Sequence, residues 1–148
     1  TIEFRQDAYL DSGYIANQEQ KMEIYRRLAA IEDEKTLTDL IDEVIDRFGT
    51  PSQPAEKLFR ISEIRVKARH LGIGSIIDEG DSLLVTWADE SFMHGWDPMK
   101  LPKTWLPYLK FLPGSPAKLR IHKALIKGTM TDWMADFMDE LKRETGKQ

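Results

Sequence analysis

Apolar residues recur at the spacing of an α-helix through most of the first half of the chain. The clearest stripe lies in the second of three such segments, where six apolar residues share one helix face: Leu37, Leu40, Ile41, Val44, Ile45 and Phe48. Similar spacing predicts a helix that starts after Asn17 and another over about residues 54–71. The first half is therefore predicted to hold three helices.

Capping residues indicate where these helices begin and end. Asn17 is a suitable N-cap for the first helix. Thr36 with Asp39 three residues later resembles a capping box, which predicts that the second helix starts after Thr36. Gly49 and Gly72 follow the second and third stripes, and glycine is typical of the residue that stops a helix.

After Gly72 the spacing changes to that of strands. Ile73 to Ile77 and Ser82 to Trp87 flank a turn at residues 79–81 and predict a hairpin, and Lys118 to His122 predicts a third strand. Five prolines between residues 96 and 116 limit any helix there to short pieces. We therefore expect an α+β fold with a helical first half of about three helices, then a small antiparallel sheet and a C-terminal helix.

The C-terminal helix is predicted from a second run of helical spacing. It opens at Thr129 or Thr131, and Trp133, Phe137 and Leu141 follow at intervals of four residues. Met134 and Met138 lie alongside them. No internal repeat interrupts the chain.

The composition excludes several classes of protein. Among 148 residues, 41% are hydrophobic and 31% are charged, which is typical of a globular domain. The sequence has no cysteine, so disulfides, zinc–cysteine sites and thiolate nucleophiles are excluded. No apolar run approaches the roughly 20 residues that span a membrane, and no signal-peptide pattern is present. We expect a cytoplasmic location, and the start at Thr1 is compatible with processing or with excision from a larger polypeptide.

Known catalytic motifs are also missing. The segment Gly72-Ile73-Gly74-Ser75 does not have the pattern of a phosphate-binding loop, in which glycines are followed by lysine and then serine or threonine. His70, His94 and His122 have no metal-ligand spacing. A hydrolase whose site is assembled from residues distant in sequence stays one hypothesis, besides the two binding hypotheses given below. We expect no metal, no cofactor and no catalysis in this domain.

The charge is distributed unevenly. The net charge is −4, yet residues 98–131 contain seven basic residues and no acidic residue. Residues 1–53 contain twelve acidic and six basic residues. This pattern indicates either neutralisation within the fold or surfaces for partners of opposite charge.

Four acidic residues lie opposite the apolar stripe of the second helix, namely Asp39, Asp42, Glu43 and Asp46. They are spaced by three or four residues and share a face with only Arg47 as a nearby base. Such a face is often simply solvated. It is also suited to dock against arginines of a partner, because guanidinium and carboxylate groups form paired hydrogen bonds.

Within the basic segment, Lys100, Lys103 and Lys110 alternate with Trp105 and other aromatic residues. Cations beside stacking rings are typical of single-stranded nucleic-acid binding. Aromatic residues in a proline-rich stretch also seal irregular edges of a core, and the chain as a whole is acidic, unlike most nucleic-acid binders. Both interpretations stay open.

Several sequence blocks resemble the C-terminal domain of the bacterial transcription-repair coupling factors. These blocks follow one another in order over residues 7 to 73: D-A-Y-L at 7–10, Y-I at 14–15, Q-K-M-E-I-Y-R-R-L-A at 20–29, I-D-R-F-G at 45–49, Pro54 and A-R-H-L-G-I at 68–73. Asp11 stands where the family usually has proline, and Pro51 lies one position early. The second half matches only in its layout.

The resemblance implies that this chain is a regulatory part of a large DNA translocase. In the family the parent uses ATP and Mg in its motor, acts on DNA behind stalled RNA polymerase and recruits UvrA. The C-terminal domain docks on a UvrB-like module of the same polypeptide, masks the UvrA surface and restrains the motor. The resemblance therefore predicts an extended lead-in over residues 1–17 and a single regulatory domain over 18–148.

The resemblance also places the docking residues on the acidic helix. In the family, the helix that ends in I-D-R-F-G faces arginines of the UvrB-like module. This carries over to Glu43 and Asp46 as the main docking residues, with Asp39 and Asp42 as further candidates. The alternative hypothesis is a DNA-contacting module that uses Lys100, Lys103, Trp105 and Lys110.

Overall fold

A computed structural model describes residues 1–94 and 96–146. The chain forms two compact units, which we call the helical unit, residues 6–67, and the sheet unit, residues 1–5 together with the chain from residue 68 onward. The predicted lead-in, residues 1–17, is divided between the two units: residues 1–5 belong to the sheet unit and residues 6–17 to the helical unit. The division into a lead-in over residues 1–17 and a single regulatory domain over 18–148 stays a prediction.

The described residues contain four α-helices and five β-strands. The helices are α1 (Gln18–Ala30), α2 (Glu34–Phe48), α3 (Gln53–His70) and α4 (Met130–Thr145). The strands are β1 (Ile2–Glu3), β2 (Ile73–Asp78), β3 (Ser82–Trp87), β4 (Leu109–Leu112) and β5 (Lys118–His122). Short 3-10 turns lie at Glu90–Met93, Pro98–Lys100, Leu106–Tyr108 and Lys123–Leu125. The predicted α+β class is confirmed. Among the described residues, none of the helices combines the length and the apolar character of a membrane span.

The core of the helical unit is built from the predicted apolar stripes. Leu37, Leu40 and Val44 of α2 are buried, and so are Ile24 and Leu28 of α1. The preceding segment also contributes, because Leu10 and Ile15 are almost fully buried in the same cluster. The hydroxyl of Tyr25 accepts a hydrogen bond from the backbone N–H of Leu10 at 2.7 Å. Residues 6–17 therefore pack as part of the unit.

The start of α2 differs from the prediction. The N-cap is Asp33, whose side chain accepts hydrogen bonds from the backbone N–H and the hydroxyl of Thr36. Thr36 lies inside the first turn, so the prediction that it caps the helix was wrong. Asp is as good an N-cap as Thr, and the choice of Asp33 adds three residues to the helix. Asn17 caps α1 and Gly49 ends α2 at a positive φ, as predicted.

Arg65 of α3 holds the end of α1 in place. Its guanidinium donates to the carbonyl oxygens of Leu28 at 2.7 Å and of Ile31 at 3.2 Å. The last carbonyls of a helix have no partner within that helix and carry partial negative charge, so a cation is favourable there. This contact fixes the turn between α1 and α2 that brings their charged side chains together.

The sheet unit is a mixed sheet with the strand order β1-β2-β3-β5-β4. The predicted hairpin is confirmed, with Ile76 opposite Val85, and the predicted third strand pairs antiparallel with β3. The prediction of a small antiparallel sheet lacked two strands. β1 adds a parallel edge strand, and β4 pairs with β5 at the other edge. β1 has only two residues and β4 only four, so neither strand offers much of a pattern to recognise in the sequence.

The predicted aromatic residues of α4 form a cluster within the sheet unit. Phe137, Met134 and Met138 are fully buried. The ring of Trp133 lies 5.2 Å from that of Phe137 and 5.1 Å from that of Tyr108, measured between centroids. Such ring contacts stabilise the cluster beyond the effect of the apolar area that the rings bury.

Asp78, the last residue of β2, binds both the N-terminal segment and the turn after β5. Its side chain is fully buried and accepts from the ammonium group of Lys123 at 2.8 Å and from the backbone N–H of Arg5 at 2.9 Å. Burial raises the pKa of this carboxyl, but the hydrogen bonds from Lys123, Arg5 and Gly80 outweigh it and leave the pKa lowered. Asp78 therefore stays ionised and fixes residues 1–5 beside β2.

Replacement of Asp78 by alanine should destabilise the sheet unit strongly. The substitution leaves Lys123 and two backbone N–H groups without an acceptor, and we expect a loss of about 3 kcal/mol in the free energy of unfolding. Urea unfolding followed by circular dichroism measures this loss. Asp81→Ala is the matched control, because Asp81 is exposed in the same hairpin turn. Equal stability of the two variants would contradict the anchoring role.

Candidate functional site

The four predicted acids of α2 lie on its outward side, but they are not equivalent. Asp39, Asp42 and Asp46 are exposed. Asp39 pairs with Lys35 one turn earlier at 3.0 Å. Asp42 and Asp46 make no hydrogen bond or ion pair with any residue of the described chain. Two carboxylates of the acidic face are thus open to solvent and to a partner.

Glu43 is held by an arginine of the neighbouring helix. The guanidinium of Arg27 in α1 donates two parallel hydrogen bonds to it, at 2.5 Å to Oε2 and 2.7 Å to Oε1. Arg47 approaches Oε2 at 3.3 Å and also contacts Glu23 at 3.2 Å. Glu23, Arg27, Glu43 and Arg47 therefore form one network of alternating charges, which we call the α1–α2 network.

This network changes the titration of both central residues. The hydrogen bonds from Arg27 lower the pKa of Glu43 from its ordinary value of 4.5 to about 2. The same contact raises the pKa of Arg27. Glu43 is consequently an ionised acceptor at neutral pH. A carboxyl with this pKa is poorly suited to donate a proton as a general acid near neutral pH.

A cleft of about 440 Å³ opens between the end of α1 and the start of α2. Asp39 and Glu43 line one side of it, Arg27 lines the other, and buried Leu40 and Ile31 form part of its wall. On the opposite side of α2, exposed Ile45 borders a groove of about 320 Å³ towards α3. The open acids Asp42 and Asp46 lie on the ridge between these two depressions.

The basic segment gives a different result. Lys100, Lys103 and Lys110 are exposed. Trp105 packs against Trp133 and Phe137, with ring centroids 5.3 and 5.4 Å apart, and its indole N–H donates to Glu140 at 3.0 Å. Its half-buried ring is part of the aromatic cluster, which favours the interpretation that it seals an edge of the core. The hypothesis of a DNA-contacting module that uses Lys100, Lys103, Trp105 and Lys110 stays a prediction.

Sequence reasoning missed three of the charged residues around the acidic face. Arg27, Glu23 and Lys35 all contact it or its network, whereas only Arg47 was expected nearby. The pairs Glu23–Arg27, Lys35–Asp39 and Glu43–Arg47 are each four residues apart, a spacing visible in the sequence. The decisive Arg27–Glu43 pair joins residues 16 positions apart and needs the packing of two helices.

The fold is that of an α+β domain, and comparison with known proteins places it in a family. The model of the TRCF domain matches residues 4–95, which is more than half of the chain. The chain therefore belongs to the TRCF domain family.

Named relatives agree with this assignment. The chain is 40% identical over 85 residues to the transcription-repair-coupling factor of Staphylococcus haemolyticus, and 42% identical over 84 residues to that of Staphylococcus epidermidis. Each match covers 57% of this chain and 7% of the relative. The match to the Staphylococcus aureus protein is 42% over 79 residues, or 53% of this chain and 7% of the relative. The chain thus spans a small part of these relatives, and the match identifies a domain.

A solved structure resembles the whole chain. A crystal structure of the C-terminal domain of transcription-repair coupling factor superposes with a TM-score of 0.80, over 99% of this chain and 93% of that chain, at 18% sequence identity. At this identity the likeness shows the shared fold. It extends through the second half, where the sequence blocks are absent.

The pKa of Glu43 provides a direct test of the α1–α2 network. Because this pKa is lower in the folded protein, the network stabilises the fold above about pH 4.5 and loses its effect as the pH falls towards 2. NMR titration of the side-chain carboxyl carbon should give a value near 2, and Arg27→Gln should raise it towards 4.5. Arg26→Gln, which removes an exposed neighbouring charge, should leave it unchanged. A value near 4.5 in the unaltered protein would contradict the geometry.

Proposed function

We propose that this domain is an autoinhibitory regulator of a transcription-coupled DNA repair translocase. It docks through the acidic face of α2 on the UvrB-like module of the same polypeptide, masks the UvrA surface and restrains the ATP-driven motor. ATP and Mg belong to that motor, which also contacts DNA, whereas RNA polymerase is bound by a separate module of the same polypeptide. This domain itself performs no catalysis in the proposal.

The observation that carries the proposal is the free acidic ridge of α2. The helix buries its apolar stripe, and of the four acids on its outward side only Glu43 is tied to another helix of the described chain. Asp42 and Asp46 lie on that side without a partner in the described chain, and Asp39 is exposed beside them. Neighbouring carboxylates repel one another slightly, and arginines from a docking surface would relieve this repulsion and form charge-assisted hydrogen bonds. The TRCF family assignment supports the choice of partner.

The expected strength of this docking is modest. A closed form that is favoured about 99 to 1 needs roughly 2.7 kcal/mol. Charge-assisted hydrogen bonds contribute about 1.5 to 3 kcal/mol each when they are shielded from water, and less at an exposed site. Two or three such bonds therefore suffice, and engagement of RNA polymerase can open the form. Partly exposed pairs should also weaken as the salt concentration rises.

The double variant Asp42→Asn/Asp46→Asn in the full-length protein tests the proposal. Asn has a helix propensity close to that of Asp, so the fold should be retained while two charges are lost. We expect the apparent affinity for UvrA and the ATPase rate without RNA polymerase to rise, the affinity by at least about tenfold, because a larger fraction of molecules is open. Binding assays with UvrA and steady-state ATPase assays measure both.

The matched control removes two exposed acids from another helix. Asp136→Asn/Glu144→Gln lowers the negative charge of α4 by the same amount, and both side chains are exposed. This control should behave like the unaltered protein. If the α2 variant also leaves UvrA affinity and basal ATPase unchanged, or if both variants change them equally, the acidic face of α2 is not the docking site.

A further inference from the structure

One member of the acidic face is already occupied by the domain's own arginine. Building on the proposed function, we infer that Arg27 is an internal competitor for Glu43 and thereby sets how tightly the domain docks. A partner arginine that binds Glu43 must replace Arg27. The docking face is then divided into an exchangeable carboxylate, Glu43, and two open ones, Asp42 and Asp46.

The competition follows from the geometry of the Arg27–Glu43 contact. Both carboxylate oxygens of Glu43 accept from Arg27, at 2.5 and 2.7 Å, in the paired arrangement that guanidinium groups favour. Arg47 takes a further position on Oε2 at 3.3 Å. An incoming guanidinium that needs the same two oxygens finds them taken. Arg27 thus shows that Glu43 accepts a guanidinium and also blocks a second one.

The surroundings allow Arg27 to leave without becoming unpaired. Its Nη1 lies 3.5 Å from Oε1 of Glu23, one turn earlier in α1, which offers a second carboxylate. The side chains of Arg27 and Glu43 are 41% and 40% exposed, so water and a partner can reach both. The cleft between α1 and α2 gives the incoming side chain a route past Asp39. Exchange therefore needs only a side-chain movement.

This arrangement predicts an effect opposite to that of the acidic variants. Loss of Asp42 or Asp46 removes docking contacts and opens the protein. Loss of Arg27 frees Glu43 to bind the partner, so a larger fraction of the protein is in the closed form. Arg27 is in this sense a positioning residue for the docking face and need not touch the partner.

The effect is best measured where docking is already weakened. In full-length protein that carries Asp46→Asn, enough molecules are open for UvrA binding to be readily measured. Adding Arg27→Gln should reduce the apparent UvrA affinity by about three- to tenfold and lower the ATPase rate without RNA polymerase. Arg27→Lys keeps the charge but cannot form the paired contact, so it should act in the same direction with a smaller effect.

Two controls separate competition from general charge effects and from unfolding. Arg26→Gln in the same background removes an equal charge from the adjacent exposed position and should leave UvrA affinity unchanged. Thermal unfolding of each protein reports whether the domain remains folded. If Arg27→Gln lowers the melting temperature substantially, the UvrA affinity of the milder Arg27→Lys variant is used to test the competition.

The outcomes distinguish this inference from the proposed function. If Asp42→Asn/Asp46→Asn opens the protein while Arg27→Gln and Arg27→Lys, both folded, leave UvrA affinity unchanged or increase it, Arg27 does not compete and the inference fails alone. If Arg26→Gln has the same effect as Arg27→Gln, the cause is general charge and the inference also fails. If the acidic variant has no effect either, the docking proposal itself fails.

Discussion

Burial of the apolar stripe of α2 is the constraint on which the acidic face depends. Leu37, Leu40 and Val44 must face the core of the helical unit, and this fixes the rotation of the helix about its axis. The four acids spaced between them are then forced to the outside. Arg65 holds the end of α1 nearby by binding its last carbonyls, which brings Arg27 to Glu43. One packing requirement thus produces both an open acidic ridge and its internal counter-charge.

The division of labour within the acidic face is a consequence of distance from α1. Glu43 lies on the edge of α2 that contacts Arg27 and belongs to the α1–α2 network, whereas the side chains of Asp42 and Asp46 make no ion pair within the described chain. In the proposed docking, Glu43 is the contact whose strength Arg27 regulates, and Asp42 and Asp46 are contacts that are always available. Such an arrangement suits a docking interaction that must hold at rest and still open when another partner competes.

The sequence predicted those parts of the fold that repeat within one element. The α2 stripe, the Asn17 cap, the stop at Gly49 and the hairpin after Gly72 all depend on neighbours within a few residues. β1 and β4 escaped prediction because they are short and are ordered by pairing with distant strands. The start of α2 was misplaced because Asp33 and Thr36 are both good caps. Arg27 was missed as the partner of Glu43 because only the packing of two helices brings them together, and the contact of Trp105 with Trp133 of α4 likewise joins residues that are distant in sequence.

Chemical labelling of carboxylates in the full-length protein tests whether the acidic ridge of α2 is covered at rest, as proposed. We expect Asp42 and Asp46 to be protected from a water-soluble carbodiimide at rest and to become labelled when RNA polymerase is engaged, whereas the exposed Asp136 of α4 should be labelled equally in both states. Mass spectrometry of the digested protein measures the labelling of each carboxylate. Strong labelling of Asp42 and Asp46 in the resting protein, unchanged on engagement, would show that the ridge is not covered.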